Sequence, residues 1–290
     1  MSCAGLHTHA GSRGCTPRDR AARAALSVLT RVAAITVVAV VAVVAVAAGR
    51  STAVAQHWVD LVHVPPFVCH ADFPLVDEGP LLAELAQLEN DLVRYLAIAP
   101  SGERIDLYLF ADRSRYREFL AQRYPQLPDR RALFVKGHGP GAVFVYRSRE
   151  LAIDVRHEST HALLHAALPM VPLWLDEGLA EYFELPPQQR ATGHAHQGSI
   201  RWQLRLGRVP RLERLEQLTD LSQMREAEYR DAWAWVHFML HGPPEARDEL
   251  IRFLADIRAS TPPGLLSVRL ERRLPQVHQR LAAHFKAWDR

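Results

Sequence analysis

An uncharged apolar run of 17 residues, from Val32 to Ala48, is the feature that most restricts how this chain can fold. A helix of this length reaches the short end of what crosses a bilayer, and it has no polar stripe to face water. Arginines precede the run with a single acidic residue among them, which favours a cytoplasmic N-terminus. We therefore predict a basic cytoplasmic segment (residues 1–31), a transmembrane signal anchor (32–48) and an extracytoplasmic domain (56–290).

A cleaved signal peptide is the alternative for this segment. Ala53-Val54-Ala55 has the small-residue pattern of a signal-peptidase site and lies at a plausible distance after the apolar run. The run is longer than a usual signal-peptide core and follows a long charged extension, which favours the uncleaved anchor. Both interpretations place the main domain outside the cytoplasm. An uncleaved anchor would hold it on the membrane in the periplasm or another extracytoplasmic space, and cleavage would release it as a secreted protein.

The composition excludes some classes of function. The net charge of the 290 residues is +3, and the arginine-rich N-terminus contributes part of it, so we expect no nucleic-acid partner. Cys69 is the only cysteine after the apolar run, so the main domain has neither an internal disulfide nor a cysteine cluster for zinc. We expect Cys69 to be a small core residue.

Two kinds of sequence pattern divide the main domain. Arg104 to Phe110 alternates and is rich in β-formers, and a glycine-rich turn joins the strand-like segments Ala132 to Val135 and Ala142 to Tyr146. From Leu151 onward, helical segments alternate with prolines that end them. We therefore predict an α+β fold, in which a small mixed sheet with an edge strand packs on a mainly helical C-terminal part.

The sequence HESTH at residues 157–161 lies within the predicted helix from Leu151 to Leu168. Side chains four residues apart lie on one face of a helix, so the imidazoles of His157 and His161 can reach a single zinc ion. Glu158 can reach a water on that ion and take its proton as the water attacks a carbonyl group. The motif therefore predicts a catalytic metal site with two histidine ligands and a glutamate as general base.

A catalytic zinc site needs a third protein ligand, and the next predicted helix offers two candidates. Glu177 and Glu181 lie four residues apart in the sequence WLDEGLAEY, and so they share one helix face. By spacing alone, either could bind the metal. The other could then accept a hydrogen bond from the second ring nitrogen of a ligating histidine.

Together these residues resemble the gluzincins, the branch of HExxH metallopeptidases that contains thermolysin and the aminopeptidase-N-like enzymes. Their third ligand is a glutamate in an NEG or NEA tripeptide on the following helix, and the DEG tripeptide at residues 176–178 is similar, with Asp for Asn. The resemblance implies a zincin-like fold and one zinc ion per chain, held by His157, His161 and Glu177. It also implies that Glu181 is a supporting carboxylate outside the ligand set, and that the substrate is a peptide or protein.

Two further segments are similar to the same family. Tyr229 begins YRDAWAWVHFML, and the resemblance implies that its phenol donates to the oxyanion of the reaction. The strand from Ala142 to Tyr146 would be the edge strand that holds an extended peptide by main-chain hydrogen bonds. Two features depart from the family. Only fifteen residues separate His161 from Glu177, which requires a tight loop, and the GAMEN motif that binds a free amino terminus is absent.

Other histidines are expected to have structural roles. His237 and His241 are also four residues apart, but no acidic residue lies between them, and His241 can cap the C-terminus of its helix. We expect His194 and His196 to be solvated in a loop. His165 continues the helix face of the two predicted ligands, and we expect it to pack beside them rather than to bind the metal.

These observations together predict a membrane-anchored zinc peptidase that acts outside the cytoplasm. One alternative is a catalytically inactive binding or scaffolding module on the same fold, which the absence of zinc from purified protein would indicate. Another is a zinc hydrolase of a non-peptide amide such as cell-wall material. The chemistry of the site would be the same for both enzymes, so the sequence does not separate them.

Overall fold

The structure of the chain is a computed structural model that describes residues 57–137 and 139–288. The predicted cytoplasmic segment (1–31), the predicted anchor (32–48) and the possible cleavage site (53–55) lie outside the described residues. Within residues 57–137 and 139–288, no helix is both long enough and apolar enough to cross a bilayer.

Five strands form one mixed sheet in the first part of the domain. They are β1 (Asp60–Val64), β2 (Phe67–Ala71), β3 (Ile105–Phe110), β4 (Ala132–Val135) and β5 (Gly141–Tyr146). The order across the sheet is β1-β2-β3-β5-β4. Strands β2, β3 and β5 are parallel, and the outer strands β1 and β4 are antiparallel to their neighbours. Cys69 lies fully buried in β2, as expected for a core residue.

The hairpin between β4 and β5 is confirmed, but its edge strand is not the one that the sequence predicted. The predicted edge segment, Ala142 to Tyr146, belongs to β5, which pairs with β3 on one side and β4 on the other. The outer strand is therefore β4. Since β3 already occupies one side of β5, the hairpin can only add β4 on the remaining side.

The rest of the described chain is mainly helical. The helices are α1 (Gly79–Leu96), α2 (Arg113–Arg123), α3 (Leu151–Ala167), α4 (Leu173–Phe183), α5 (His196–Arg205), α6 (Leu212–Leu215), α7 (Glu226–His241), α8 (Pro244–Arg258), α9 (Leu266–Arg273) and α10 (Val277–Ala287). Eight of these ten follow β5 in the chain. The predicted α+β architecture, a small mixed sheet followed by a mainly helical part, is confirmed.

Helix α3, which contains the HESTH sequence, lies at the centre of the domain. It packs against β4 and β5 on one side and against α1 and α4 on the other. Every residue from Asp154 to Leu164 is buried, including the polar ones. An ordinary amphipathic helix exposes its polar face to water. Because α3 does not, its polar side chains need partners from the neighbouring elements.

Helices α4 and α7 approach each other closely at Gly178. A Cβ atom at this position would lie 2.9 Å from the main-chain carbonyl of Ala232 and 3.0 Å from Cγ2 of Val236. Only glycine leaves enough space for this contact. The contact holds the first turns of α7, which carry Tyr229, against the helix that carries Glu177.

Candidate metal centre

Three buried side chains converge between α3 and α4: His157, His161 and Glu177. The distance from His157 Nε2 to Glu177 Oε2 is 3.6 Å, and from His161 Nε2 to the same oxygen it is 3.7 Å. Both distances exceed that of an N–H···O hydrogen bond, and none of the three atoms has a hydrogen-bond partner. The structure thus brings together the three side chains that the sequence predicted as ligands.

The arrangement of these three atoms fits a zinc ion. Bonds of about 2.0–2.1 Å at tetrahedral angles separate two ligand atoms by roughly 3.3–3.4 Å, close to the separations observed here. Buried nitrogen and oxygen atoms without partners are otherwise destabilising. Three protein ligands also leave one coordination position for water or a substrate, which is the pattern of catalytic rather than structural zinc.

The outer ring nitrogens of both histidines face buried carboxylates. His157 Nδ1 lies 2.9 Å from Glu184 Oε2, and His161 Nδ1 lies 2.9 Å from Asp176 Oδ1. The contact with Glu184 is a hydrogen bond, so a proton on Nδ1 of His157 leaves its Nε2 free to bind a metal. Asp176 makes an ion-pair contact of the same length with His161. The sequence prediction gave this supporting role to Glu181. In the structure Asp176 and Glu184 occupy it, and Glu181 bonds to other histidines.

The sequence contained a signal for one of these two carboxylates. Glu184 follows Glu177 by seven residues, about two helical turns, and so it extends the face that Glu177 and Glu181 share. The role of Asp176 instead depends on how α3 and α4 cross. His165 lies on the outer side of Asp176, with 2.9 Å between Nε2 and Oδ2, and so it packs beside the ligands as expected.

Glu158 lies beside this group with both carboxylate oxygens buried and without hydrogen-bond partners. Burial raises the pKa of Glu158, while the nearby His157 and His161 oppose the rise. The main chain of Phe134, in β4, also faces the carboxylate and lowers its pKa. A carboxylate with both oxygens buried and unpaired can take a proton from a neighbouring water and later return it, as a general base that then acts as an acid must.

Tyr229 reaches the same region from α7. Its side chain is buried and its hydroxyl group has no hydrogen-bond partner. Burial and the negative charges of Glu177, Glu181 and Glu158 raise the pKa of the phenol, with Arg130 opposing them. The hydroxyl therefore keeps its proton and is available as a donor. The structure brings Tyr229 to the predicted site, and its role as oxyanion donor stays a prediction.

An open cleft of about 770 Å³ leads to Glu177. Lys136, directly after β4, lines one side of the cleft, and the loop between α3 and α4 lines a second side. Its apolar lining consists of Leu168, Met170, Val171, Leu173, Leu218 and Leu221, with prolines at 169 and 172. The loop of five residues, 168–172, is as tight as the short sequence spacing required. The cleft offers an apolar side chain a place next to the candidate metal ligands.

His194 and His196 are not solvated, contrary to the sequence prediction. His194 is 7% exposed, and the ring nitrogens of both residues contact buried carboxylates. The segment after α4 folds back over that helix, where Trp233 stacks on the His194 ring at a centroid distance of 4.8 Å. Burial opposes the ionisation of Glu181, but the two histidines hold its pKa well below the ordinary value.

Comparison with known proteins adds little about function. A family model described as a protein of unknown function (DUF1570) matches residues 152–263, which include the HESTH sequence, Glu177 and Tyr229. No curated protein matches the sequence. The chain is similar in structure to an M1 zinc metallopeptidase from Deinococcus radiodurans, with 19% identity, a TM-score of 0.39 and coverage of 79% of this chain. It spans about half (51%) of that protein, and a likeness of this extent carries no functional argument.

Proposed function

We propose that this chain is a zinc-dependent peptidase. The observation that supports the proposal is the convergence of three unpartnered buried atoms, His157 Nε2, His161 Nε2 and Glu177 Oε2, beside the unpartnered carboxylate of Glu158. A structural histidine cluster would pair these atoms with each other or with water. The HExxH spacing and the DEG tripeptide, which resemble those of the gluzincins, favour peptide hydrolysis over other metal-dependent reactions.

In the proposed reaction, each side chain has a distinct task. Bound zinc would supply a Lewis acid that lowers the pKa of a water and polarises a carbonyl group. Glu158 takes a proton from the attacking water and returns it to the departing amine. Tyr229 donates its hydroxyl proton in a hydrogen bond to the developing oxyanion. Asp176 and Glu184 keep the two histidines in the orientation and tautomer that the metal requires.

The outer edge of β4 is the proposed docking edge for an extended substrate. β4 pairs with β5 on one side only, and the main chain of Phe134 at its centre faces Glu158. A peptide that adds to this edge by main-chain hydrogen bonds would pass the carboxylate of the proposed base. The apolar lining of the cleft next to Glu177 favours a peptide with an apolar side chain close to the cleaved bond.

The proposed location is outside the cytoplasm, with residues 32–48 as a membrane anchor. The support for it is the charge asymmetry around the apolar run. Fusions of a reporter that is active only outside the cytoplasm, placed after residue 290, should be active. Alkaline extraction of membranes distinguishes a retained anchor from a secreted, cleaved form.

The decisive experiment compares Glu158→Gln with the unchanged protein. We expect the variant to keep zinc at the site of His157, His161 and Glu177, bound at most a few-fold less tightly. It should lose at least about 100-fold of its peptidase activity, because only the proton-transfer group is removed. Glu249→Gln is the matched control. Glu249 is also a buried glutamate, 7% exposed, but it lies in α8 and pairs with Arg269.

The substrates are a library of peptides and a set of cell-wall fragments. Full activity of Glu158→Gln would reject Glu158 as the base. Activity on cell-wall amides alone would replace the peptidase with the non-peptide hydrolase. A protein that binds no zinc and cleaves neither class would support the inactive binding module.

A further inference from the structure

A second group of metal-binding side chains lies directly behind His157. Glu181 supplies a carboxylate oxygen, and His194 and His196 supply Nε2 atoms, all within 4.8 Å of one another. His196 Nε2 lies 3.1 Å from Glu181 Oε2, and His194 Nε2 lies 3.5 Å from the same oxygen. Glu184 lies at the edge of this group, with Oε1 3.3 Å from His194 Nε2.

The distances in this group differ from those of the hydrogen bonds nearby. The contacts of His157 with Glu184 and of His165 with Asp176 are both 2.9 Å, as expected for a histidine that donates to a carboxylate. The separations in the second group, from 3.1 to 3.5 Å, bracket the roughly 3.3 Å that separates two ligands of a tetrahedral zinc ion. Two of these contacts are hydrogen bonds in the metal-free chain, and the same separations suit the ligand atoms of a bound ion.

The charge of the region also favours a second cation. Five buried carboxyl groups lie together in this part of the domain: Glu158, Asp176, Glu177, Glu181 and Glu184. A buried carboxylate is stable only with a cation or hydrogen-bond donors beside it. A divalent ion at Glu181 would supply that charge in place of the protons on the neighbouring histidines.

The ligand residues are held in place by their surroundings. Trp233, on α7, stacks on the His194 ring with an interplanar angle of 25°, which fixes the plane of the imidazole. Glu184 uses one oxygen towards His194 and the other towards His157 Nδ1, and so it connects the two groups. Glu181 lies on α4 one turn after Glu177, which sets the distance between the groups.

We propose that Glu181, His194 and His196 form a second divalent-cation site, with zinc as the preferred ion because it suits imidazole and carboxylate ligands. The site is additional to the single zinc that the sequence resemblance implies. His194, one of its ligands, contacts Glu184, which in turn orients His157.

The second site is the weaker of the two. His194 Nδ1 accepts a hydrogen bond from the main-chain N–H of His196 at 3.1 Å. When a cation binds Nε2, a neutral ring carries its proton on Nδ1, facing that N–H group. Breaking this contact reduces the affinity of the second site relative to the first.

The test is a count of zinc in the purified full chain, equilibrated with zinc and freed of unbound metal by gel filtration. We expect two equivalents in the unchanged protein, one in His196→Ala and one in His161→Ala. His278→Ala is the matched control and should keep two. His278 has the same side-chain exposure as His196, 18%, and a similar contact, 3.2 Å to Glu213.

A calorimetric zinc titration adds a second measurement. It should show two phases in the unchanged protein, and the weaker phase should be absent in His196→Ala. Should His196→Ala fail to fold by circular dichroism, Glu181→Gln removes a ligand of the same site with little change in shape. One equivalent in the unchanged protein, or two in His196→Ala, would overturn the second site and leave His194 as a hydrogen-bond partner of Glu184.

The same counts separate this proposal from the proposed function. If His196→Ala loses one equivalent and His161→Ala loses none, the second site stands and the catalytic zinc site fails. If His161→Ala loses the only equivalent found, the catalytic site stands and the second site fails.

Discussion

His157 and His161 on α3 and His237 and His241 on α7 share the spacing of four residues, and the surroundings of the two pairs differ. His157 and His161 on α3 have ring centroids 5.0 Å apart, and His237 and His241 on α7 have centroids 4.8 Å apart. The first pair faces buried carboxylates. The second pair lies among aromatic rings, where His237 Nδ1 is 3.0 Å from His284 Nε2 and Trp288 packs on both residues of the pair.

The charge state of the two pairs follows from these neighbours. Burial lowers the pKa of both ligand histidines of α3, but the carboxylates outweigh it and raise the pKa above the ordinary value. Burial without acidic partners lowers the pKa of His237 to about 3 and that of His284 to about 4. His237 is therefore neutral: Nε2–H donates to the carbonyl of Ala191, and Nδ1 accepts from His284. Spacing alone does not make a metal site, because acids must complete it.

Among the expected effects, the largest should come from removing Glu177, the proposed acidic ligand that distinguishes the α3 pair from the α7 pair. Glu177→Ala leaves two histidines, as in the α7 pair, and we expect the zinc of this site to be lost on dialysis and activity to fall to that of the metal-free chain. The loss of affinity should exceed about 100-fold, since loss of a supporting carboxylate alone reduces affinity by about 10- to 100-fold. Zinc content and peptidase rate measure it. Unchanged zinc content would show that another acid completes the site.

Removal of the phenol should affect the reaction but not the metal. For Tyr229→Phe we expect kcat to fall about 100- to 1000-fold, the usual effect of losing one oxyanion donor, with KM and zinc content nearly unchanged. Steady-state kinetics with a peptide that the enzyme cleaves measure kcat and KM separately. A change in KM alone would instead assign Tyr229 to substrate binding.

Removal of a supporting carboxylate should weaken the metal site to a smaller extent. Asp176→Asn keeps the shape of the side chain but weakens its hold on His161, and we expect zinc to bind about 10- to 100-fold more weakly. Competition with a chelator of known affinity measures the change. Equal affinity in variant and unchanged protein would show that the tautomer of His161 is set by another group.

The α7 pair should make the free energy of unfolding depend on pH. Because the folded-state pKa of His237 lies below that of the unfolded chain, the unfolded state binds more protons, and stability falls as pH decreases from about 6.5 towards 3. His237 alone should contribute roughly 2–3 kcal/mol of loss between pH 6.5 and 4.5. Urea unfolding at both pH values should give a smaller loss for His237→Phe than for the unchanged protein. Equal losses would contradict the assigned neutral state.

A change at the contact between α4 and α7, at Gly178, should have the smallest effect on stability. Gly178→Ala places a methyl group against Ala232 of α7, and we expect the free energy of unfolding to fall by about 1–2 kcal/mol. Thermal unfolding measures the loss. Activity should also fall, because α7 carries Tyr229. Gly198→Ala, at a helical position with open space around it, is the control; it should leave activity unchanged and should not lower the free energy of unfolding.

The sequence predicted local features well, because they depend on spacing along one helix or hairpin. The repeat of four residues placed His157 and His161 on one face of α3, and the glycine-rich turn identified the β4–β5 hairpin. The sequence also predicted that Glu177 lies close to the two histidines, because a short loop after α3 requires the next helix to pack beside it. The identification of Glu177 as the ligand rather than Glu181 required the family resemblance.

The remaining features depended on contacts between segments that are distant in sequence. Pairing of β5 with β3 made β4 the edge strand, and spacing within the hairpin does not reveal that pairing. The fold-back of the chain after α4 buried His194 against Glu181 and Glu184 and brought the partly exposed His196 against Glu181, although a loop with Gly and His is typically solvated. The sequence by itself thus determined which groups could act together on one helix. The tertiary structure decided which acids support them, since burial and charge act through space and not along the chain.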